Sequence, residues 1–120
     1  MKNVLFILVT VLFASNAFAQ NQNVVREEYH QNGELKLQFL EVEKGLVQAT
    51  YFHENGLIAQ KGYFKNETLF GYWETFDVEQ NKISSGFFND NVKTGTWNYW
   101  KNGELFQIIS YSNNGMVAQF

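Results

Sequence analysis

The sequence predicts an all-β fold of about eight or nine short strands in an up-and-down meander, preceded by a signal peptide. Three observations carry this expectation. Turn signals recur about every 11 or 12 residues, and the runs between them are rich in aromatic and β-branched side chains. Past residue 20, no three-and-four apolar periodicity persists over a full ten residues, so no amphipathic helix is expected.

Taken in order, residues 1–19 read as a secretory signal peptide. Lys2 supplies the positive start, residues 4–13 form a largely apolar run, and Ala17 and Ala19 place small side chains before a cut ahead of Gln20. That run is well short of the roughly 20 residues a membrane-spanning helix needs. The sequence contains no cysteine, which excludes the lipid attachment of a bacterial lipoprotein, so an exported chain, periplasmic or secreted, is expected. Residues 20–28 carry no periodic pattern and read as a loose lead-in. Residues 29–120 are expected to form one domain of about four repeated units.

Within that domain, strands are expected at 46–53, 57–64, 69–76, 83–88, 94–101 and 105–111. Asn-Gly at 32–33, 55–56, 102–103 and 114–115 supplies residues that accept positive φ, the requirement of a tight hairpin turn. Further turns are expected at Lys44-Gly45 and at 65–67, 79–81 and 89–91.

Composition narrows the function classes. Of 120 residues, 45% are apolar and 18% aromatic, with neither cysteine nor proline. Such an aromatic content excludes a disordered chain, and the missing cysteines exclude a disulfide scaffold and thiolate-ligated metal. The net charge of −3, which becomes −4 once Lys2 is removed, argues against nucleic acid and anionic membranes as partners.

The units repeat with a step of 24. Gly62-Tyr63-Phe64-Lys65-Asn66 aligns with Gly86-Phe87-Phe88-Asn89-Asp90 and then with Ser110-Tyr111-Ser112-Asn113-Asn114. Gly71-Tyr72-Trp73 aligns with Gly95-Thr96-Trp97, and Phe76 with Trp100. Upstream, Tyr29-His30-Gln31-Asn32-Gly33 is echoed by Phe52-His53-Glu54-Asn55-Gly56. The pattern Asn-Gly-x-Leu, Gly-Tyr-x-Asn, Gly-x-Trp-x-x-Tyr/Phe resembles the MORN repeat in its bacterial second variant, over residues 29–115. The departures are Phe87 in place of Tyr, Gln80-Asn81-Lys82 where Asn-Gly belongs, and a first unit without its Gly-x-Trp; atypical terminal repeats are expected of caps. The resemblance implies consecutive hairpins laid side by side as an elongated twisted sheet. Its framework would be Gly62, Tyr63, Gly71, Trp73, Gly86, Phe87, Gly95, Trp97 and Tyr111.

A glycine within a strand marks a bend or a close approach, and the expected neighbours of these glycines are the rings of Trp73 and Trp97. Most rings of a cysteine-free sheet serve as core. One row, Tyr72, Phe76 and Trp100, is the candidate for a groove that binds a peptide, a glycan or a lipid headgroup. Counting by twos along 57–64 puts an aromatic on both faces, so it does not say which face is wet.

Catalytic and metal constellations are not found. His30 and His53 occupy the same place in successive repeats, without a third ligand at metal spacing. Glu41 with Glu43, and Glu74 with Asp77, are the carboxylate pairs that a glycosidase could use, although acidic residues on strands more often protect edges. No Gly-x-Ser-x-Gly elbow and no phosphate-cradling glycine loop is present. Short exported chains similar to this one are associated with nicotinate mononucleotide adenylyltransferase activity or with antitoxins. The first requires a His-x-Gly-His signature on an α/β fold, which these residues lack. The expectation is therefore a non-enzymatic protein-binding or scaffolding module of the cell envelope, without cofactor or metal, with an edge-strand homodimer as one mode of assembly. An antitoxin-like neutralising protein and a glycan or lipid-headgroup binder are the alternatives.

Overall fold

A computed structural model describes residues 23–112 and 115–119, with side chains described for 23–112. Residues 1–19, expected to be a signal peptide, lie outside the described residues, as does Asn114 of the last Asn-Gly pair. Among the described residues, nine strands form one antiparallel sheet in which each strand pairs with its sequence neighbours. They are β1 (Asn23–Tyr29), β2 (Leu35–Glu43), β3 (Leu46–Phe52), β4 (Ile58–Lys65), β5 (Thr68–Phe76), β6 (Lys82–Asn89), β7 (Val92–Lys101), β8 (Glu104–Ser112) and β9 (Gly115–Gln119). The expected meander is therefore present. The expected lead-in at 20–28 is corrected over residues 23–28, which belong to β1. Arg26 pairs there with Phe39 of β2 and its guanidinium lies 5.5 Å from that ring, so cross-strand contact orders a segment that lacks apolar alternation of its own.

Apart from Lys44-Gly45, a two-residue turn between β2 and β3 with positive φ at Gly45 alone, the described turns are of two kinds. Asn66-Glu67, Asp90-Asn91 and Asn102-Gly103 have positive φ at both residues, as a two-residue hairpin turn demands. The Asn-Gly pairs at 32–33 and 55–56 behave differently: only their glycines have positive φ, within wider loops closed by the amides of His30 and His53 on the carbonyls of Glu34 and Leu57. Asn32 and Asn55 instead use their side chains, each Oδ1 accepting the amide two residues on and each Nδ2 reaching the next loop, at the Glu54 and Val78 carbonyls. At the glycine's place in the third loop stands Gln80, at φ 72, and Asp77, in the place of the histidines, carries out the capping.

Asp77 Oδ1 accepts the amides of Asn81 (2.8 Å) and Glu79 (2.9 Å). The Asn81 amide above all, with the Glu79 amide, the Asn81 side chain and nearby His53, holds this carboxyl below its ordinary value against an opposing desolvation. The stabilisation is present above the unfolded carboxyl value of about 4 and is lost as pH falls through the lower folded value. In thermal melts, the margin of the natural protein over Asp77→Asn is expected to shrink between about pH 5 and pH 2. A margin independent of pH would show that Asp77 does not titrate with folding.

One face of the sheet carries the core. Ala49, Trp73 and Trp97 are buried there, flanked by Phe39, Tyr51, Phe64, Leu69, Phe88, Tyr99 and Tyr111. The rings form a chain of edge contacts across the strands: Phe64 to Trp73 at 5.5 Å, Trp73 to Phe88 at 6.1 Å, Phe88 to Trp97 at 5.1 Å. The strand glycines sort by what they permit. A Cβ on Gly62 would lie 1.9 Å from the Trp73 ring, and one on Gly86 would lie 2.0 Å from the Trp97 ring. Gly71 and Gly95 instead hold φ values of 75 and 69, at the places where the β4–β5 and β6–β7 ladders shift register. Beside each shift an indole closes the gap: Trp73 Nε1–H donates to the Tyr63 carbonyl at 3.1 Å, and Trp97 Nε1–H to the Phe87 carbonyl at 2.9 Å. The Gly-x-Trp signature is thus a bulge followed by the ring that covers the preceding strand's glycine and caps its neighbour's carbonyl.

The step of 24 fails in the last unit. Trp73 stands opposite Gly86, but Trp97 stands opposite Ile109, so Tyr111 is corrected to the place of Phe88 rather than of Tyr63 and Phe87. A slip of one residue moves a side chain to the other face, and Tyr111 packs on the tryptophan side.

Candidate binding face

The opposite face carries Tyr63, Tyr72, Glu74, Phe87 and Trp100. Tyr63 lies against Gly71 and Phe87 against Gly95, at 3.8 and 4.0 Å from where a Cβ would stand. The same bulged glycines that aim each tryptophan at the core thus leave space for a ring on the other side. Tyr72 and Phe87 meet across β5 and β6 with ring centroids 5.3 Å apart, and they are 39% and 48% exposed. Trp73 and Trp97, by contrast, are 3% and 5% exposed.

From Tyr72 a polar path runs to Trp100. The Tyr72 hydroxyl donates to Glu74 Oε2 at 3.3 Å, Glu74 pairs with Lys82 at 2.7 Å, and the Lys82 ammonium stands 5.5 Å from the Trp100 ring centroid. The hydrogen bond to Glu74 raises the Lys82 value above all other causes, so Lys82 stays charged beside the ring. Gln80, Asn81 and Gly103 join Lys82 and Trp100 around a shallow depression at this end of the face. Phe76 follows Tyr72 and Glu74 by the alternation of β5 and pairs with Lys82, and it is half-buried. The three aromatic candidates therefore share a face. Tyr72 and Trp100 are linked through Glu74 and Lys82, a connection that sequence reasoning missed because Lys82 follows a loop and aligns with no motif.

The carboxylate pairs do not converge. Asp77 is committed to the amides of its own loop and Glu74 to Lys82. Glu41 lies between the side-chain amide of Asn23 and the amide of Gly45. A register shift separates Glu41 from Glu43 in the β2–β3 ladder. The histidines are inter-loop clamps: His30 Nε2 lies 2.9 Å from the Phe52 carbonyl and His53 Nε2 3.0 Å from the Phe76 carbonyl, a geometry in which the ring nitrogen donates. Among the described residues no group of three or more His, Cys, Asp or Glu side chains is gathered for a metal ion, and no helix is long and apolar enough to cross a membrane.

No protein-family profile and no curated protein sequence matches the chain. Among solved structures, the crystal structure of TarM resembles it at a TM-score of 0.50 and 13% sequence identity, over 92% of this chain. The match spans 23% of the TarM chain, and at that identity it speaks to the fold alone.

Proposed function

We propose that this protein is a non-enzymatic binding module, exported to the cell envelope or beyond, that holds a protein partner on the face carrying Tyr72 and Phe87. The observation that supports the reading is the exposed ring pair itself. The core is built on the opposite face, so burial of the fold does not account for two adjacent aromatics left in solvent. Aromatic anchors ringed by polar groups are what a partner surface engages, and the Glu74–Lys82 pair supplies a polar rim on one side. The resemblance to MORN repeats fits a module that binds rather than catalyses.

The test is capture from an envelope extract of the producing cell, comparing the natural protein with the double variant Tyr72→Ser, Phe87→Ser. A partner retained by the first and lost by the second, with both proteins folded at the capture temperature by circular dichroism, is the expected result. Identical captures by both proteins, or none by the natural one, would contradict the reading.

A further inference from the structure

The Lys93 side chain is half-buried, folded back along β7 over a group of rings. Its ammonium stands 4.7 Å from the Trp97 ring centroid, 5.7 Å from Tyr99 and 5.8 Å from Tyr111, and it donates to the Tyr99 hydroxyl at 3.1 Å. Three rings around one cation are the arrangement by which proteins recognise ammonium groups, because the negative faces of the π-systems replace lost hydration. Burial raises the Tyr111 hydroxyl while Lys93 pulls it down, so the phenol stays neutral beside the charge.

The preceding unit serves as an internal control for what the fold requires. Lys93 pairs with Phe88 as Leu69 pairs with Phe64, and Tyr111 pairs with Gly95 as Phe88 pairs with Gly71. Tyr99 follows Trp97 by two, as Thr75 follows Trp73. Around Trp73 these places hold Leu69, Phe88 and Thr75, and that indole is as fully buried as Trp97. Covering a tryptophan therefore needs neither a cation nor a phenol. Around Trp97 all three places change together, to Lys93, Tyr111 and Tyr99, and the outcome is an aromatic cage with a charge inside.

We infer that Trp97, Tyr99 and Tyr111 form a binding site for an organic ammonium ion, of the quaternary type carried by choline, and that Lys93 occupies it as an internal plug. A primary ammonium is strongly hydrated, whereas a quaternary ammonium carries less water to lose and offers more surface to the rings. Lys93 has a flexible four-carbon stem on β7 and can leave the cage for solvent without moving the backbone. The site lies on the tryptophan face, opposite Tyr72 and Phe87, and does not depend on the protein-binding reading above.

The probe is choline, with 3,3-dimethylbutan-1-ol as its uncharged isostere, followed by NMR at the Trp97 indole N–H. Choline is expected to shift that resonance in the natural protein, with affinity about tenfold higher in Lys93→Ala, and the neutral isostere should do neither. Tyr111→Leu should abolish the response in the Lys93→Ala background. If Lys93→Ala does not fold, the natural protein decides alone, since choline must still raise its melting temperature where the isostere does not. Equal responses to choline and isostere, or none to choline in a folded Lys93→Ala, would overturn the assignment.

Discussion

Gly86→Ala is expected to destabilise the protein by about 3 kcal/mol, the upper range for overpacking a core position. The added methyl would stand 2.0 to 2.4 Å from three atoms of the Trp97 ring, so one of the two must move. The ring has little freedom to do so: its Nε1–H is held by the Phe87 carbonyl, and Phe88, Tyr99 and Lys93 close around it. Shifting β6 instead would open the ladders to β5 and β7. Chemical denaturation gives the magnitude, and a double-mutant cycle gives the cause. In a Trp97→Leu background the same alanine should cost much less, because the group it collides with is gone. Additive losses would show that Gly86 is needed for some reason other than the ring above it.

The second large effect is expected at Trp73. Trp73→Ala should cost about 3 to 5 kcal/mol, since it removes a buried ring and leaves a void that a single-layer sheet cannot collapse into. The substitution also leaves the Tyr63 and Phe70 carbonyls without the indole donor, and deprives Phe64 and Phe88 of the ring they both contact edge-on. Small domains are stable by about 5 to 15 kcal/mol in all, so this loss is a large share of the total. Tyr72→Ser, one residue away on the open face, removes one ring of the pair with Phe87 and should cost about 1 kcal/mol, well below the loss at Trp73. Calorimetric melts of the two variants check the contrast, and a Tyr72→Ser loss comparable with that of Trp73→Ala would mean that both faces hold the fold together.

Much of this architecture was legible in the residues. Turn signals at regular spacing and the absence of helical periodicity led to the meander, and the repeated Gly and Gly-x-Trp pointed to rings lying over strand glycines. The division between the faces was not legible: along 57–64 each face carries an aromatic, Phe64 on the core side and Tyr63 opposite, and in β5 and β7 there is a further, physical cause. Alternation by twos holds only while each residue pairs with one partner, and the register shifts at Gly71 and Gly95 break that count in the middle of the strands. Tyr111 was misplaced for the same reason, as one residue of slip in the last unit exchanged its face. Asn-Gly had two meanings, a two-residue turn at 102–103 and a side-chain-capped loop at 32–33 and 55–56, which only the width of the loop distinguishes. The cage around Lys93 left one trace in the sequence, the change of Leu69 and Thr75 to Lys93 and Tyr99 at the same step. Its third wall was hidden by the slip at Tyr111.

The central claim is that one face of this sheet buries Trp73 and Trp97 while the other leaves Tyr72 and Phe87 exposed. Hydroxyl-radical footprinting, read residue by residue by mass spectrometry, tests it most directly. Tyr72 and Phe87 should be oxidised rapidly, while Trp73 and Trp97 in the same molecules stay protected until the protein unfolds. Protection of Tyr72 and Phe87 to the level of the two tryptophans in the isolated protein would contradict the account.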